Sequence, residues 1–416
     1  MTPRGTDKSR KAARRKPRPA STGDGRGQAD VAQGEQLLMA MLAIPGPSTQ
    51  EGAVLEFIRD RLFEAGADPR AVRSDDTHRR SPFGGQAGNL ILRLPGTVAK
   101  PRRMLMAHVD TVPLCQGTRP VRRGEWIVPA QASTGLGADD RAGAAATLYA
   151  ATEILRRGLP HPPLCFLWTV QEEIGLYGVR HLRLGLLGRP HLAFNFDGGS
   201  SEKITIGATG GYRMTIHVHG VASHAGNAPE KGVSAVVIAG LAIAELHQQG
   251  WHGRVQTAEG SGTSNIGVIQ GGEATNVVTP QLTLRAEARS HDPVFRKKIL
   301  QAIAQAFRRA ARSVQNTEGQ CGRVRIEGRL DYEAFRLPTD DPSVVAAQVA
   351  VQHVGGKPRL AVSNGGLDAN WMTARGIPTV SLGCGQVNPH TTAERLELAE
   401  FQRACRVALR LATTID

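Results

Sequence analysis

Apolar runs alternate with helical stripes along this chain, and acids and histidines gather where the runs stop. Residues 35–42 read as a short helix ended by Pro45-Gly46-Pro47. Val54, Leu55, Ile58, Leu62 and Phe63 recur at helical spacing and are closed by Gly66. Residues 74–87 read as a polar loop. Residues 89–94 and 104–107 are short apolar runs, hence strands, and the second leads into His108-Val109-Asp110. An irregular basic stretch follows, with Arg119, Arg122 and Arg123. Gly135-Leu136-Gly137-Ala138-Asp139-Asp140 then opens a helix with Ala145, Leu148, Ala151 and Leu155 on one face. Residues 164–170 are rich in β-branched and aromatic residues without a helical period. They predict a buried strand that stops at Gln171-Glu172-Glu173-Ile174-Gly175. A further strand, residues 192–196, ends at Asp197.

Strands alternating with helices predict an α/β layer architecture. Asp110, Glu172, Glu173 and Asp197 all stand at the carboxyl ends of strands, where open α/β sheets place their sites. From about residue 206 the pattern changes. A half-exposed strand at 213–219, a small-residue helix at 233–246, strands at 265–270 and 281–288, a basic amphipathic helix at 295–314 and a strand at 323–328 give the order β-α-β-β-α-β. That is the split, ferredoxin-like order, and it predicts an inserted α+β domain at 207–334. The α/β pattern resumes with a helix capped by Asp341-Pro342, a strand at 379–382 and a closing helix at 396–411. The expected organisation is a tail at 1–30, a first catalytic part at 31–206, the insertion at 207–334 and a second catalytic part at 335–416.

Composition narrows the picture little. The 416 residues are 40% hydrophobic and 21% charged, ordinary for a soluble globular protein. Aromatics at 4% argue against a nucleic-acid stacking surface. The net charge of +14 is uneven, since residues 1–30 hold nine Lys/Arg against three Asp. That tail is expected to be disordered, and any nucleic-acid contact is expected to be weak and confined to it. Five scattered cysteines suggest neither a metal site nor a disulfide framework, which points to the cytoplasm. No apolar run is long enough to span a membrane.

The chemistry lies in the strand-end residues. Two adjacent acids after a buried strand are costly unless a cation meets them. Neighbours in a strand point to opposite faces, so Glu172 and Glu173 are expected to differ in role, one binding metal and one handling a proton. His108, Asp139, Asp140, Asp197 and His390 add imidazole and carboxylate donors, a set that suits zinc, or cobalt and manganese. Asp110, two residues after His108, can accept the second imidazole N–H and orient the ring. Taken singly, Asp139 reads as a helix cap and His390 as a loop histidine; their joint placement is what needs explaining.

The segments Met106-Ala107-His108-Val109-Asp110-Thr111-Val112-Pro113, Gly137-Ala138-Asp139-Asp140-Arg141-Ala142-Gly143, Gln171-Glu172-Glu173-Ile174-Gly175, Asp197 and Asn388-Pro389-His390 carry a family likeness. The chain resembles the di-zinc metallopeptidases and amidohydrolases of the peptidase T, acetylornithine deacetylase and glutamate carboxypeptidase superfamily. Gly365-Gly366-Leu367-Asp368-Ala369-Asn370 is most similar to the peptidase T branch. The resemblance implies a zinc-peptidase-like catalytic domain, a mixed sheet flanked by helices, whose insertion dimerises and closes over the substrate.

It further implies one ion on His108, Asp139 and Asp197, and a second on Asp139, Glu173 and His390 with Asp139 bridging. Glu172 is then the general base, Asp110 the orienting acid, and the Asp139–Asp140 peptide cis. His224 matches a histidine that holds substrate, often across a dimer, and Asn276 and Arg289 match positions that hold a substrate carboxylate. Arg141 stands where lysine is commoner, and the segment 114–133 departs from the family wording. The expected activity is aminopeptidase action on short peptides, with N-acyl-amino-acid deacylation as the alternative. A non-catalytic peptide-binding relative is disfavoured because every ligand position and the base are intact.

Overall fold

The structure, a computed structural model, describes residues 25–413, with side chains from residue 32. What was expected of residues 1–24 lies outside the described residues. The first helix runs Gly25–Leu42, longer than the helix expected at 35–42, and it begins within the stretch 1–30 expected to be a disordered tail. Its added turns are polar, and polar residues carry no periodic signal by which to extend a helix.

A nine-stranded mixed sheet forms the centre. Arg103–His108, Leu164–Thr169, Leu192–Phe196 and Thr379–Leu382 run parallel within it, so their carboxyl ends meet at one edge. Leu164–Thr169 shows why the pattern folds this way. Leu164, Phe166 and Trp168 pack into one hydrophobic cluster, while Cys165 and Leu167 pack into another on the opposite face. Period-two alternation with both faces covered is the signature of a central strand. Burying each large side chain contributes roughly 1.5–3 kcal/mol. The indole N–H of Trp168 donates to the carbonyl of Ala144 and the hydroxyl of Thr147, which ties the strand to the helix Ala138–Arg157. Arg141 on that helix is fully buried and donates to the carbonyls of Met41 and Gly46, a structural job for the residue that stands in place of lysine.

The second unit is a five-stranded antiparallel sheet covered on one face by the helices Ala235–Gln248 and Pro293–Ser313. Its element order is β-α-β-β-β-α-β rather than the six elements expected. Gly253–Thr257 forms an extra edge strand, paired with Gly260–Gln270. The glycines and exposed polar residues there hid it, since neither alternation nor apolar content marks such an edge. Without that strand the order is ferredoxin-like.

Three further expectations change. The polar loop at 74–87 contains a helical turn, Thr77–Arg80. The irregular stretch after residue 114 holds two paired strands, Pro120–Arg123 and Trp126–Pro129, in a small sheet with Gln386–Val387 and Arg395–Glu397. Arg395 lies over the Trp126 ring there, 4.0 Å from its centroid. Lys203–Ala208 and Arg359–Ser363 pair in the main sheet although the sequence pattern did not mark them. All five cysteines are free thiols. Among the described residues no helix is long and apolar enough to cross a membrane.

Candidate metal centre

The site is assembled at the carboxyl edge of the parallel strands. His108 is the last residue of its strand and lies beside Thr169, and the N–H of Val109 donates to the carbonyl of Thr169. The strand that carries the acid pair ends at Thr169, not at residue 170. Gln171 takes a left-handed φ of 56°, and the chain turns at Glu172–Gly175. Strand alternation therefore does not orient Glu172 and Glu173. Both line the same cavity of about 300 Å³, against the expectation that they face opposite ways.

What separates the two acids is their surroundings. Glu173 Oε1 is 2.8 Å from Nε2 of His390. Asp110, fully buried, accepts the N–H of Glu172 at 3.0 Å, the N–H of Glu173 at 3.1 Å and the hydroxyl of Ser48 at 2.6 Å. Its Oδ1 also lies 3.4 Å from Nδ1 of His108. One carboxylate thus holds both the imidazole and the peptide that carries the acid pair.

Asp139 sits where its helix begins but does not cap it. Asp139 and Asp140 have non-helical backbone angles, and the peptide between them is cis. One oxygen of Asp139 is 3.4 Å from Nε2 of His108, and the other is 3.3 Å from Nε2 of His390. Gln386 donates to Asp139, and Glu394 accepts the N–H groups of Leu136, Gly137 and Asp139. Gly143 lets the helix approach, because a Cβ there would meet the carbonyl oxygen of Phe196 at 1.8 Å.

The donors fall into two clusters that share His108. Ligand atoms of His108, Asp139 and Glu173 lie within 4.8 Å of one another, and so do those of His108, Asp140 and Asp197. Asp140, a candidate from the sequence without an assigned role, thus joins the second cluster. Asp368 was missed. It is buried, takes the Thr169 hydroxyl at 2.5 Å, and has one oxygen with no hydrogen-bond partner.

The electrostatics of the cluster follow from its burial and crowding. Burial and the neighbouring Asp139 push Asp197 up to about 7. Burial raises Asp368 to about 6. Burial also lifts Glu172 well above the carboxylate range against the pull of His108, with Glu173 and Asp368 adding to the rise. Asp140 is raised by burial and Asp197. Burial opposes ionisation of Asp139, but hydrogen bonds from His108 and His390 hold its carboxyl below the usual range. The same contact with Asp139, then Glu173, raises His390 to about 10. Crowded, buried acids resist ionisation, and divalent cations relieve that. The imidazole and carboxylate donors present fit such ions.

Of the residues expected to hold substrate, Arg289 lines the cavity together with Tyr332. His224 and Asn276 do not. Both are exposed, on adjoining loops linked by the Ala225 N–H to the Asn276 carbonyl, and Nδ1 of His224 accepts the N–H groups of Gly226 and Asn227.

Residues 104–414 match the model of peptidase family M20/M25/M40. The uncharacterized protein YqjE of Bacillus subtilis (strain 168) is 30% identical over 374 residues, covering 90% of this chain and 95% of that protein. A tripeptidase from Staphylococcus aureus subsp. aureus mu50 superposes with a TM-score of 0.82 at 28% identity, covering 92% of this chain and 98% of that one. Aminopeptidase PepT from Bacillus cereus ATCC 10987 gives 0.79 at 30% identity, with the same coverages.

Proposed function

The chain belongs to peptidase family M20/M25/M40, and from that premise we propose that it is a dinuclear metallopeptidase acting on the amino end of short peptides. The observation that carries this reading is Asp139, whose two oxygens face two different imidazoles at 3.4 and 3.3 Å. His108, Asp139 and Asp197, with Asp140 beside them, would hold one divalent ion. Asp139, Glu173 and His390 would hold the second, zinc being the metal that these donors suit, with cobalt or manganese as substitutes. When bound, such a pair polarises the scissile carbonyl and lowers the pKa of the attacking water.

Glu172 is the proton carrier. It lines the cavity beside the metal donors, where its carboxylate can act as general base on water and then return the proton to the leaving amine. Asp110 keeps the His108 ring and the Glu172 peptide in register. Arg289 offers a planar guanidinium to a substrate carboxylate. His224 and Asn276 stand outside the cavity, so a role in binding needs a second copy of the chain to carry them to its partner's site. Val236, Val237 and Leu241, each about half exposed on the helix Ala235–Gln248, give the insertion an apolar face for such a dimer. Free thiols fit a reducing cytoplasm.

A substrate profile tests the reading. Free-amino tripeptides and dipeptides are compared with N-acetyl and N-succinyl amino acids. Turnover of tripeptides supports it; inert tripeptides beside a hydrolysed N-acyl amino acid would assign the site to a deacylase instead.

A further inference from the structure

The inserted sheet has a face that no helix of its own unit covers, and that face is basic. Its outward residues follow from the register. Arg329, Arg213 and Glu287 form one rung, and Glu327, Thr215 and Arg285 the next one out. Beyond them lie Arg325 with His217, then Arg323 with His219. The near end of the sheet, at Arg289 and Tyr332, lines the metal cavity.

A second cavity of about 630 Å³ lies over the first two rungs, with Phe83 of the catalytic unit among its walls. Arg213 lines both cavities, so the second continues the first. Phe83 is 54% exposed and packs edge-on against Tyr177, over whose ring Arg329 sits with 5.6 Å to the centroid.

The charges on this face do not cancel. Arg289 takes Glu287 in a two-point pair, and Arg325 takes Glu327. Arg213 and Arg329 share the single carboxylate of Asp331. Arg285 makes no ion pair among the described residues and is exposed in the second cavity. Successive rungs are two residues apart, about 6.8 Å, which is also the spacing of side chains along one edge of an extended peptide. An extended peptide with carboxylates at alternate positions would meet one arginine rung after another.

We propose that this sheet face binds the part of the substrate beyond the scissile bond, and that Arg213, Arg285 and Arg329 select peptides carrying carboxylates there. The inference rests on the peptide-hydrolase reading and names its substrate class. Arginine forks favour carboxylates over neutral side chains, and a charged groove raises the local concentration of an anionic substrate. The low aromatic content, 4%, speaks against nucleic acid as the occupant.

The test separates binding from turnover. Binding of Ala-Ala-Glu-Ala-Glu, Ala-Ala-Ala-Ala-Ala and Ala-Ala-Lys-Ala-Lys is measured by calorimetry on the Glu172→Gln protein with its metal, and kcat/KM on the wild type. The acidic peptide is expected to bind about tenfold more tightly than the neutral one. Arg285→Glu is expected to abolish that preference, and added salt to weaken it. Equal affinity for the acidic and neutral peptides, or a preference that survives Arg285→Glu combined with Arg329→Gln, overturns the inference. So does a single-stranded oligonucleotide that outbinds the acidic peptide and loses affinity on Arg285→Glu. If acidic peptides bind preferentially yet no peptide is cut, the peptidase reading falls and the binding face stands.

Discussion

The carboxylate of Asp110 accepts the backbone N–H of Glu172 at 3.0 Å, while its other oxygen takes the N–H of Glu173 at 3.1 Å. The orientation of the two acids is thus set by a third acid, just past the end of a neighbouring strand, which also faces the imidazole of His108. Asp110→Asn keeps the volume but puts an amide donor against one of these groups. Metal affinity is expected to fall about 10- to 100-fold, as is usual when a ligand loses its orienting partner. Titration with zinc against a chelating competitor measures it, and an unchanged affinity would remove Asp110 from this role.

Glu394 takes three backbone N–H groups that lead into Asp139, and it is 1% exposed. Glu394→Ala leaves three buried donors without partners and a void beside them. The expected loss is about 3 kcal/mol or more, read from the midpoint of urea unfolding. Glu394→Gln keeps the acceptor oxygen and is expected to lose less.

Removing the metal is expected to lower stability as well as activity. An acid cluster that burial already pushes toward the neutral form gains most from a bound cation. At free metal a hundred times its dissociation constant, each site contributes about 2.7 kcal/mol. Exhaustive chelation is therefore expected to lower the melting temperature, and about two equivalents of zinc per chain to restore it. An unchanged melting temperature would speak against a resident metal pair.

Much of the catalytic unit was legible in the sequence because its strands are covered on both faces. Residues 164–170 could be read as a buried strand from their apolar run alone, and the helix opening at Ala138 from its small-residue stripe. Asp341 caps its helix as its residue type suggests, accepting the N–H of Ser343. Short, half-exposed strands such as Trp126–Pro129 and Arg359–Ser363 were not legible, since their pairing is decided by distant partners. The grouping of the strand-end acids could be anticipated, but not the directions of Glu172 and Glu173. Those depend on the left-handed turn at Gln171 and on the two amide bonds to Asp110. Asp368 carried no spacing signal, and its part in the cluster comes from tertiary packing.

The division of labour between Glu172 and Glu173 is tested most directly by assaying metal content and turnover on the two alanine variants side by side. Glu172→Ala is expected to keep about two metal ions and to lose turnover by about 100-fold or more, as removal of a general base does. Glu173→Ala is expected to lose an ion, because its carboxylate faces His390 at 2.8 Å. Two variants that keep the same metal content and lose turnover equally would contradict the assignment.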